Sequence, residues 1–307
     1  MYKVNVLMST YNGETHLGEQ IDSIMNQKDV EVILTIRDDG SSDGTLAVIK
    51  KYINKYGKKI RLFTGHNAGY RKSFRRLLRY ASEADFYAFA DQDDVWMEDK
   101  LINAVNMLDE KCSDDEICLY ASSDIITNEK LEAVGIHDIS GVNNTIQGFY
   151  TRARLAGCTF VFSPECKKVA ERFLKVKFPR SAEPDHDFLL ASVALSCGKV
   201  ILDKNAYIYH RRTGKNVTSG GNGIIQRLKV EYDLTFKRKA MNYLMADASL
   251  RICSDKLSDD AKAFFEEVVA YRKSVKDKLR LLSDKRMKSG VKIGDAETKI
   301  KILINQY

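Results

Sequence analysis

The stretch YAFADQDDVWMEDK, Tyr87 to Lys100, decides the fold. Apolar and aromatic residues run into Asp91, Gln92, Asp93 and Asp94, and then the pattern turns amphipathic. A buried strand that ends in three carboxylates within four positions crowds like charges together. A cation or water must relieve that repulsion. A strand, an acidic loop and then a helix form the edge of a parallel sheet, and such sheets bind ligands beyond the carboxyl ends of their strands.

The same unit repeats upstream. YKVNVLM is an apolar strand, and ETHLGEQIDSIMNQ places Leu17, Ile21, Ile24 and Met25 at helical spacing. VEVILTI is a β-branched strand, followed by the helix DGTLAVIKKYINKYG with Asp43 as N-cap and Gly57 as stop. Strand IRLF, helix RKSFRRLLRYA, strand DFYAFA and helix MEDKLINAVNML complete about four alternations, which predicts an α/β sheet that is mostly parallel. After ICLYASSDII the alternation becomes irregular, with a loop expected through GVNNTIQG. SPECKKVAERFL predicts a helix, another is expected after Pro184, and KVILDKNAYIYH predicts two short strands. From Ile225 onward the pattern is helical.

The chain has 307 residues, 44% of them hydrophobic and 30% charged, ample for one large domain or two. No apolar run approaches the roughly 18 residues of a membrane span. The N-terminus MYKVNVLMSTYN meets polar residues too soon for a signal peptide, so the cytoplasm is the expected location. The six cysteines form no C-x-x-C pair, so reduced thiols are expected rather than a zinc ribbon or a redox dithiol. The net charge of +7 is unevenly spread: residues 1–224 hold 30 basic and 30 acidic residues, and residues 225–307 hold 19 and 12. The Gly-rich TSGGNG, Thr218 to Gly223, precedes that compositional boundary.

Three strand-end loops are unusually polar: STYNGE (Ser9–Glu14), RDDGSSDGT (Arg37–Thr45) and DQDD. One such loop is an ordinary turn as readily as a site, but three at successive strand ends point to a ligand. DGSSDG is not an EF-hand, because Lys50 falls where the bidentate Glu must sit. No Walker P-loop or Rossmann fingerprint is present either.

LMSTYNGETHLGEQIDSI, IRDDGSSDGT, NAGYRKSF and FADQDDVW, taken in this order, resemble the N-terminal half of family 2 glycosyltransferases. The D-Q-D-D-V-W form is most similar to the rhamnosyltransferase-type members, and the likeness covers about residues 3–217. The resemblance implies a GT-A fold. A domain over 1–224 would comprise a nucleotide-binding part, about 1–120, and an acceptor-binding part, about 121–224. A basic helical extension would follow over 225–307.

By the same resemblance, Thr10, Tyr11 and Asn12 lie near the donor base and ribose, with Glu14 beside them. Asp38 accepts from the pyrimidine N–H with Asp39 next to it, and Asn67, Gly69 and Ser73 also face the nucleotide. Asp91-Gln92-Asp93 corresponds to the family D-x-D, with Asp93 and Asp91 as metal ligands, while Asp94 and Trp96 shape the sugar pocket. The implied cofactor is Mn²⁺ or Mg²⁺, hard cations that take oxygen ligands from carboxylate and diphosphate alike.

EPDHDFLL, Glu183 to Leu190, resembles the segment that carries the catalytic base of an inverting enzyme. Asp187 matches best and Asp185 is the alternative; an Asp at the start of a helix also serves as an N-cap. YIYHRRTGKN resembles the closing segment, with His210 as a third metal ligand and Arg211, Arg212 and Lys215 on the diphosphate. Ala90 and Phe188 depart from frequent family residues, which bears on sugar preference rather than on fold.

The function implied is inverting transfer of a hexose from a nucleotide-diphosphate sugar, dTDP-L-rhamnose or a UDP-sugar, to a glycan or lipid-linked glycan acceptor of a surface or capsular polysaccharide. A non-catalytic nucleotide-sugar-binding protein is a different class. It would lack the acidic triplet or a base candidate, and neither is missing. Nucleic acid is not an expected partner, because the tail has no arginine-rich cluster with interleaved aromatics. Residues 225–307 are instead expected either to pack as helices, on the core or on a second subunit, or to touch the inner face of the membrane.

Overall fold

The computed structural model describes residues 1–212, 240–290 and 292–307. Lys215 and the boundary at residue 224 lie outside the described residues. The chain divides into two compact units whose segments alternate along the sequence. The first comprises Met1–Ser140, Leu155–Leu174 and Val200–Arg212; the second comprises Gly141–Arg154, Lys175–Lys199 and Thr213–Tyr307.

In the first unit, strands β1 (Tyr2–Thr10), β2 (Val30–Asp38), β3 (Ile60–Thr64) and β4 (Phe86–Ala90) form a parallel block. Their register aligns Thr10 with Asp38, Asp38 with Thr64, and Met8 with Ala90, so the strands release their loops at one edge. The helices α1 (Leu17–Met25), α2 (Thr45–Tyr56) and α3 (Tyr70–Tyr80) connect them, as the alternation predicts. Each is amphipathic: α1, for example, buries Leu17, Gln20, Ile21 and Ile24. The N-cap of α2 is Gly44 rather than the expected Asp43, whose side chain accepts from the Thr45 amide at 3.0 Å one residue outside the cap, and Gly57 ends the helix at φ 58°.

The rest of the sheet is antiparallel. It comprises β5 (Val95–Trp96), β6 (Cys118–Thr127), β7 (Ala133–His137), β8 (Val161–Phe162) and β9 (Lys199–Arg211). The order is β3-β2-β1-β4-β8-β6-β9-β5, with β7 paired to β6. Helix α4 (Lys100–Lys111) follows β5. KVILDKNAYIYH is one continuous strand, not the two expected. The turn-forming Asp203 makes its local bond to the Asn205 amide at 2.9 Å, but the Tyr120 hydroxyl, 83 residues away, donates to it at 3.0 Å from the neighbouring part of the sheet, and this tertiary bond overrides the turn signal. A disulfide joins Cys112 to Cys118, correcting the expectation of six reduced thiols. The chain doubles back between α4 and β6, which leaves the two Cα atoms 6.6 Å apart.

In the second unit, helix α5 (Ile146–Thr151) rises within the segment expected to be a loop, its start capped by Thr145, which accepts from the Gly148 amide. Helix α7 (His186–Cys197) follows Pro184, and α6 (Pro164–Arg172), in the first unit, precedes it in the chain. Helix α7 is apolar on every side and correspondingly buried. Phe188 stacks on Phe149 at 5.1 Å, and Tyr150 reaches Phe264 and Phe265. Helices α8 (Met241–Ile252), α9 (Asp259–Ala270), α10 (Val275–Ser283) and α11 (Lys292–Leu303) bear out the helical pattern over the described part of the tail, and 225–239 lie outside the described residues. They are integral to this unit: Asp260 accepts from Gln147 at 2.7 Å, and Thr298 donates to the Thr151 carbonyl at 2.7 Å.

Candidate active site

The loops after β1, β2, β3 and β4 brace one another at the edge of the first unit. Tyr11 donates its amide to Gln92 Oε1 at 2.8 Å and receives Gln92 Nε2 on its carbonyl at 3.1 Å. Asn12, at φ 47°, donates to Ser41 Oγ and accepts from the Ser42 amide, each at 2.9 Å. Glu14 accepts from the Gly44 amide at 2.8 Å. The sequence-expected residues Thr10, Tyr11, Asn12, Glu14 and Gln92 thus come together at one rim.

Asp38, expected to face a pyrimidine, is 1% exposed. Its carboxylate accepts four bonds: from Thr10 Oγ1 at 3.1 Å, Ser41 Oγ at 2.5 Å, the Gly40 amide at 3.1 Å and the Ser41 amide at 2.9 Å. It therefore shapes the loop from within, and Gly40 at φ 84° supplies the backbone turn around it. Asp39 forms a buried ion pair with Arg37, Nη1 to Oδ1 at 2.5 Å. Asp39 also accepts from the Ala68 amide at 2.9 Å and the Gly69 amide at 2.8 Å. Arg37 donates to Ser73 Oγ at 2.8 Å, and Ser9 donates to the same oxygen at 2.6 Å. Asn67 closes the turn by accepting from the Gly69 amide at 3.1 Å.

In the acidic run, Asp91, Gln92 and Asp93 are half-buried, whereas Asp94 and Trp96 are buried. Burial raises Asp91, and the neighbouring Asp93 charge adds to it. Burial likewise raises Asp93 and Asp94 above the usual carboxylate range. Asp94 Oδ1 accepts from the Arg211 amide at 3.0 Å, while Oδ2 is buried with no hydrogen-bond partner among the described residues. Arg211, expected on a diphosphate, is instead buried. Its Nε holds the Asp93 carbonyl at 2.8 Å, and its guanidinium reaches Glu19 Oε2 at 2.5 Å and the Glu129 carbonyl. Arg212 is exposed, its amide on the Thr127 carbonyl at 2.9 Å.

His210 is positioned by Asp124, whose carboxylate lies 2.9 Å from His210 Nδ1 and 2.8 Å from His137 Nδ1. Burial pulls His210 down, but the bond to Asp124 and the charges of Asp94, Asp124 and Asp91 outweigh it and hold His210 at about 9. Asp124, His137 and Glu19 were not among the expected site residues. The one signal for Asp124 is an acid inside the buried strand segment YASSDII. Lys100 is a further buried group, its Nζ 3.8 Å from the Trp96 ring centroid; burial lowers its pKa to about 7.

Asp187 belongs to the second unit, in the first turn of α7, where the helix dipole favours a carboxylate. Its Oδ1 accepts from the Phe188 amide at 2.6 Å. The N-cap position is held by Asp185, with no side-chain cap bond.

The model of Glycosyl transferase family 2 matches residues 5–173, more than half of the chain. This chain belongs to glycosyl transferase family 2. The family 2 chain is 31% identical over 198 residues to the dTDP-rhamnosyl transferase RfbG of Shigella flexneri, covering 61% of this chain and 64% of that protein. It is 33% identical over 116 residues to the Staphylococcus aureus poly(ribitol-phosphate) beta-N-acetylglucosaminyltransferase TarS, covering 37% of this chain and 20% of that protein. Both matches therefore span less than two thirds of the relative's own length. The crystal structure of S. aureus TarS 1-349 in complex with UDP-GlcNAc superposes with a TM-score of 0.54 at 18% identity, covering 99% of this chain and 93% of that one. At that identity the likeness concerns the fold alone, and it bears out the GT-A architecture.

Proposed function

We propose that this family 2 chain is an inverting, metal-dependent glycosyltransferase that moves a hexose from a nucleotide-diphosphate sugar to a hydroxyl of a growing surface polysaccharide. The observation that carries the reading is the convergence of four cross-braced strand-end loops on the acidic run Asp91–Asp94. Likeness to a dTDP-rhamnosyl transferase favours dTDP-L-rhamnose as donor.

The acidic run suits a hard divalent cation. Burial raises the pKa of both half-buried carboxylates, and the Asp93 charge adds to the shift at Asp91; Mg²⁺ or Mn²⁺ would relieve the charge crowded there. Asp93 and Asp91 would hold it, with His210 as a further ligand. When bound, such a cation neutralises charge developing on the departing diphosphate. The rim of Thr10, Tyr11, Asn12 and Glu14, with Asn67 and Gly69, would cradle the nucleotide, and Asp38, Asp39, Ser73 and Arg211 would hold those loops in shape. Asp94 and Trp96 would wall the sugar, and Arg212 and Lys215 would meet the diphosphate. Asp187 would take the proton of the acceptor hydroxyl as that oxygen attacks the anomeric carbon from the face opposite the diphosphate.

Incubation with a panel of nucleotide sugars, followed for slow donor hydrolysis, tests the reading without an acceptor. Turnover of dTDP-L-rhamnose is expected above that of any UDP-sugar, and it should vanish in excess EDTA and in Asp93→Ala. Preference for a UDP-sugar would reassign the donor, and full activity in EDTA would overturn the metal.

A further inference from the structure

Cys158 lies in the tight turn Gly157–Thr159 of the first unit and is 2% exposed. Its Sγ, one carboxylate oxygen of Asp91 and one of Asp94 all lie within 4.8 Å of one another. Asp94 is fully buried, and its Oδ2 finds no hydrogen-bond partner among the described residues. A buried, unbonded carboxylate oxygen beside a buried thiol is costly unless something positive accepts its lone pairs. Lys100 supplies some positive charge nearby, but its ammonium lies over the Trp96 ring and Nζ makes no hydrogen bond among the described residues.

The donor set itself selects the ion. Magnesium and calcium take oxygen ligands and leave sulfur alone, whereas zinc and cadmium bind thiolate together with carboxylate. We propose that Asp91, Asp94 and Cys158 form a site for a thiophilic divalent cation of the zinc and cadmium class. Its donor set is distinct from the Asp91–Asp93 pair assigned to the hard donor-site ion. Three protein ligands leave a fourth position for water. As the metal–sulfur bond forms, the thiol S–H bond breaks and its proton passes to solvent; no electron is transferred. Because Asp91 is common to both sets, an ion held on Cys158 draws that carboxylate away from the donor-site ion, making zinc an antagonist of the hard metal. That consequence rests on the proposed function; the site does not.

The test is titration of the full chain with Cd²⁺, without reductant so that Cys112 and Cys118 stay paired, followed by the sulfur-to-cadmium charge-transfer absorption in the ultraviolet. A saturable band is expected. It should be lost in Cys158→Ser, retained in Cys166→Ser, Cys197→Ser and Cys253→Ser, and its midpoint shifted about 10-fold or more to higher Cd²⁺ in Asp94→Asn. Asp93→Ala should keep the band within about twofold, whether or not it transfers sugar. Absence of the band in the wild type, or its survival in Cys158→Ser, would overturn the site. Should Cys158→Ser fail to fold, judged by circular dichroism, the Asp94→Asn shift decides, and an unchanged midpoint there also overturns it.

Discussion

Replacing Asp39 with Ala should destabilise the first unit by about 3–5 kcal/mol, the usual cost of removing one partner of a buried ion pair. The structure explains why the cost falls in that range. Arg37 is 2% exposed and would keep its charge with the carboxylate gone, while the Ala68 and Gly69 amides would each lose an acceptor. The Ala68 amide, left without its acceptor, costs up to about 1–3 kcal/mol in its own right, whereas the Gly69 amide keeps Asn67 Oδ1; these terms share one side chain and do not simply add. Removing both charges in Arg37→Met/Asp39→Asn should cost less than Asp39→Ala alone, because no buried charge is left uncompensated. Trp96 is the only tryptophan, and it is buried in this unit, so its fluorescence reports the unit's own unfolding in urea. With a denaturant slope of roughly 3 kcal/mol/M, the Asp39→Ala midpoint should fall by about 1 M or more at unchanged slope. A shift below about 0.3 M, or a double variant weaker than the single one, would refute the reasoning.

Three other outcomes are expected. Burial holds His186 at about 4 in the folded chain against 6.5 ordinarily, so the unfolded chain takes up the proton first. Stability should therefore fall as pH drops from about 6.5 to about 4, by on the order of 3 kcal/mol; His186→Asn should flatten that dependence in thermal melts followed by circular dichroism. Asp187→Asn should slow transfer about 10²–10⁴-fold with donor affinity unchanged, measured by calorimetry with the nucleotide diphosphate; a dead Asp185→Asn beside an active Asp187→Asn would move the base to Asp185. The tail exposes Val275, Leu279, Ile300, Leu303 and Ile304 among lysines, and Lys278 ties α10 to the Leu303 carbonyl at 3.2 Å. Binding to anionic vesicles should follow and weaken with salt, and Lys273→Glu/Lys276→Glu/Lys299→Glu should abolish it; equal pelleting with neutral lipid would leave self-association as the surface's use.

The parallel block was legible because local signals agree there. Period-two strands, period-3.6 helices and Asp/Ser/Gly loops recur in one order, so no distant contact is needed to place Thr10, Asp38 or Asp91 at one edge. What escaped depends on partners far apart in the chain. Asp124 is bonded to His137 and His210, the latter 86 residues away, and Arg211 turns inward to the Asp93 and Glu129 carbonyls, 118 and 82 residues before it. Asp38 and Asp39 lie where β2 meets its following loop, as the alternation predicts, but their bonds to neighbouring amides and hydroxyls cannot be read from residue type. The continuity of β9 likewise hangs on Tyr120, and the Cys112–Cys118 bond on a reversal between α4 and β6.

The alternation of the two units along the chain governs how the protein can be made. Strand β5 is complete at Trp96, but its sheet neighbour β9 ends only at Arg211. At elongation rates of about 5–20 residues per second, roughly 6–23 seconds of translation separate the two, and until then the β5 edge of the nascent sheet has no partner. The chain also leaves the first unit twice before finishing it, so neither unit can be completed on the ribosome ahead of the other's early segments. Stopping synthesis near residue 224 would release the second unit without the helices that pack against Gln147 and Thr151, giving a half-built body rather than a trimmed enzyme.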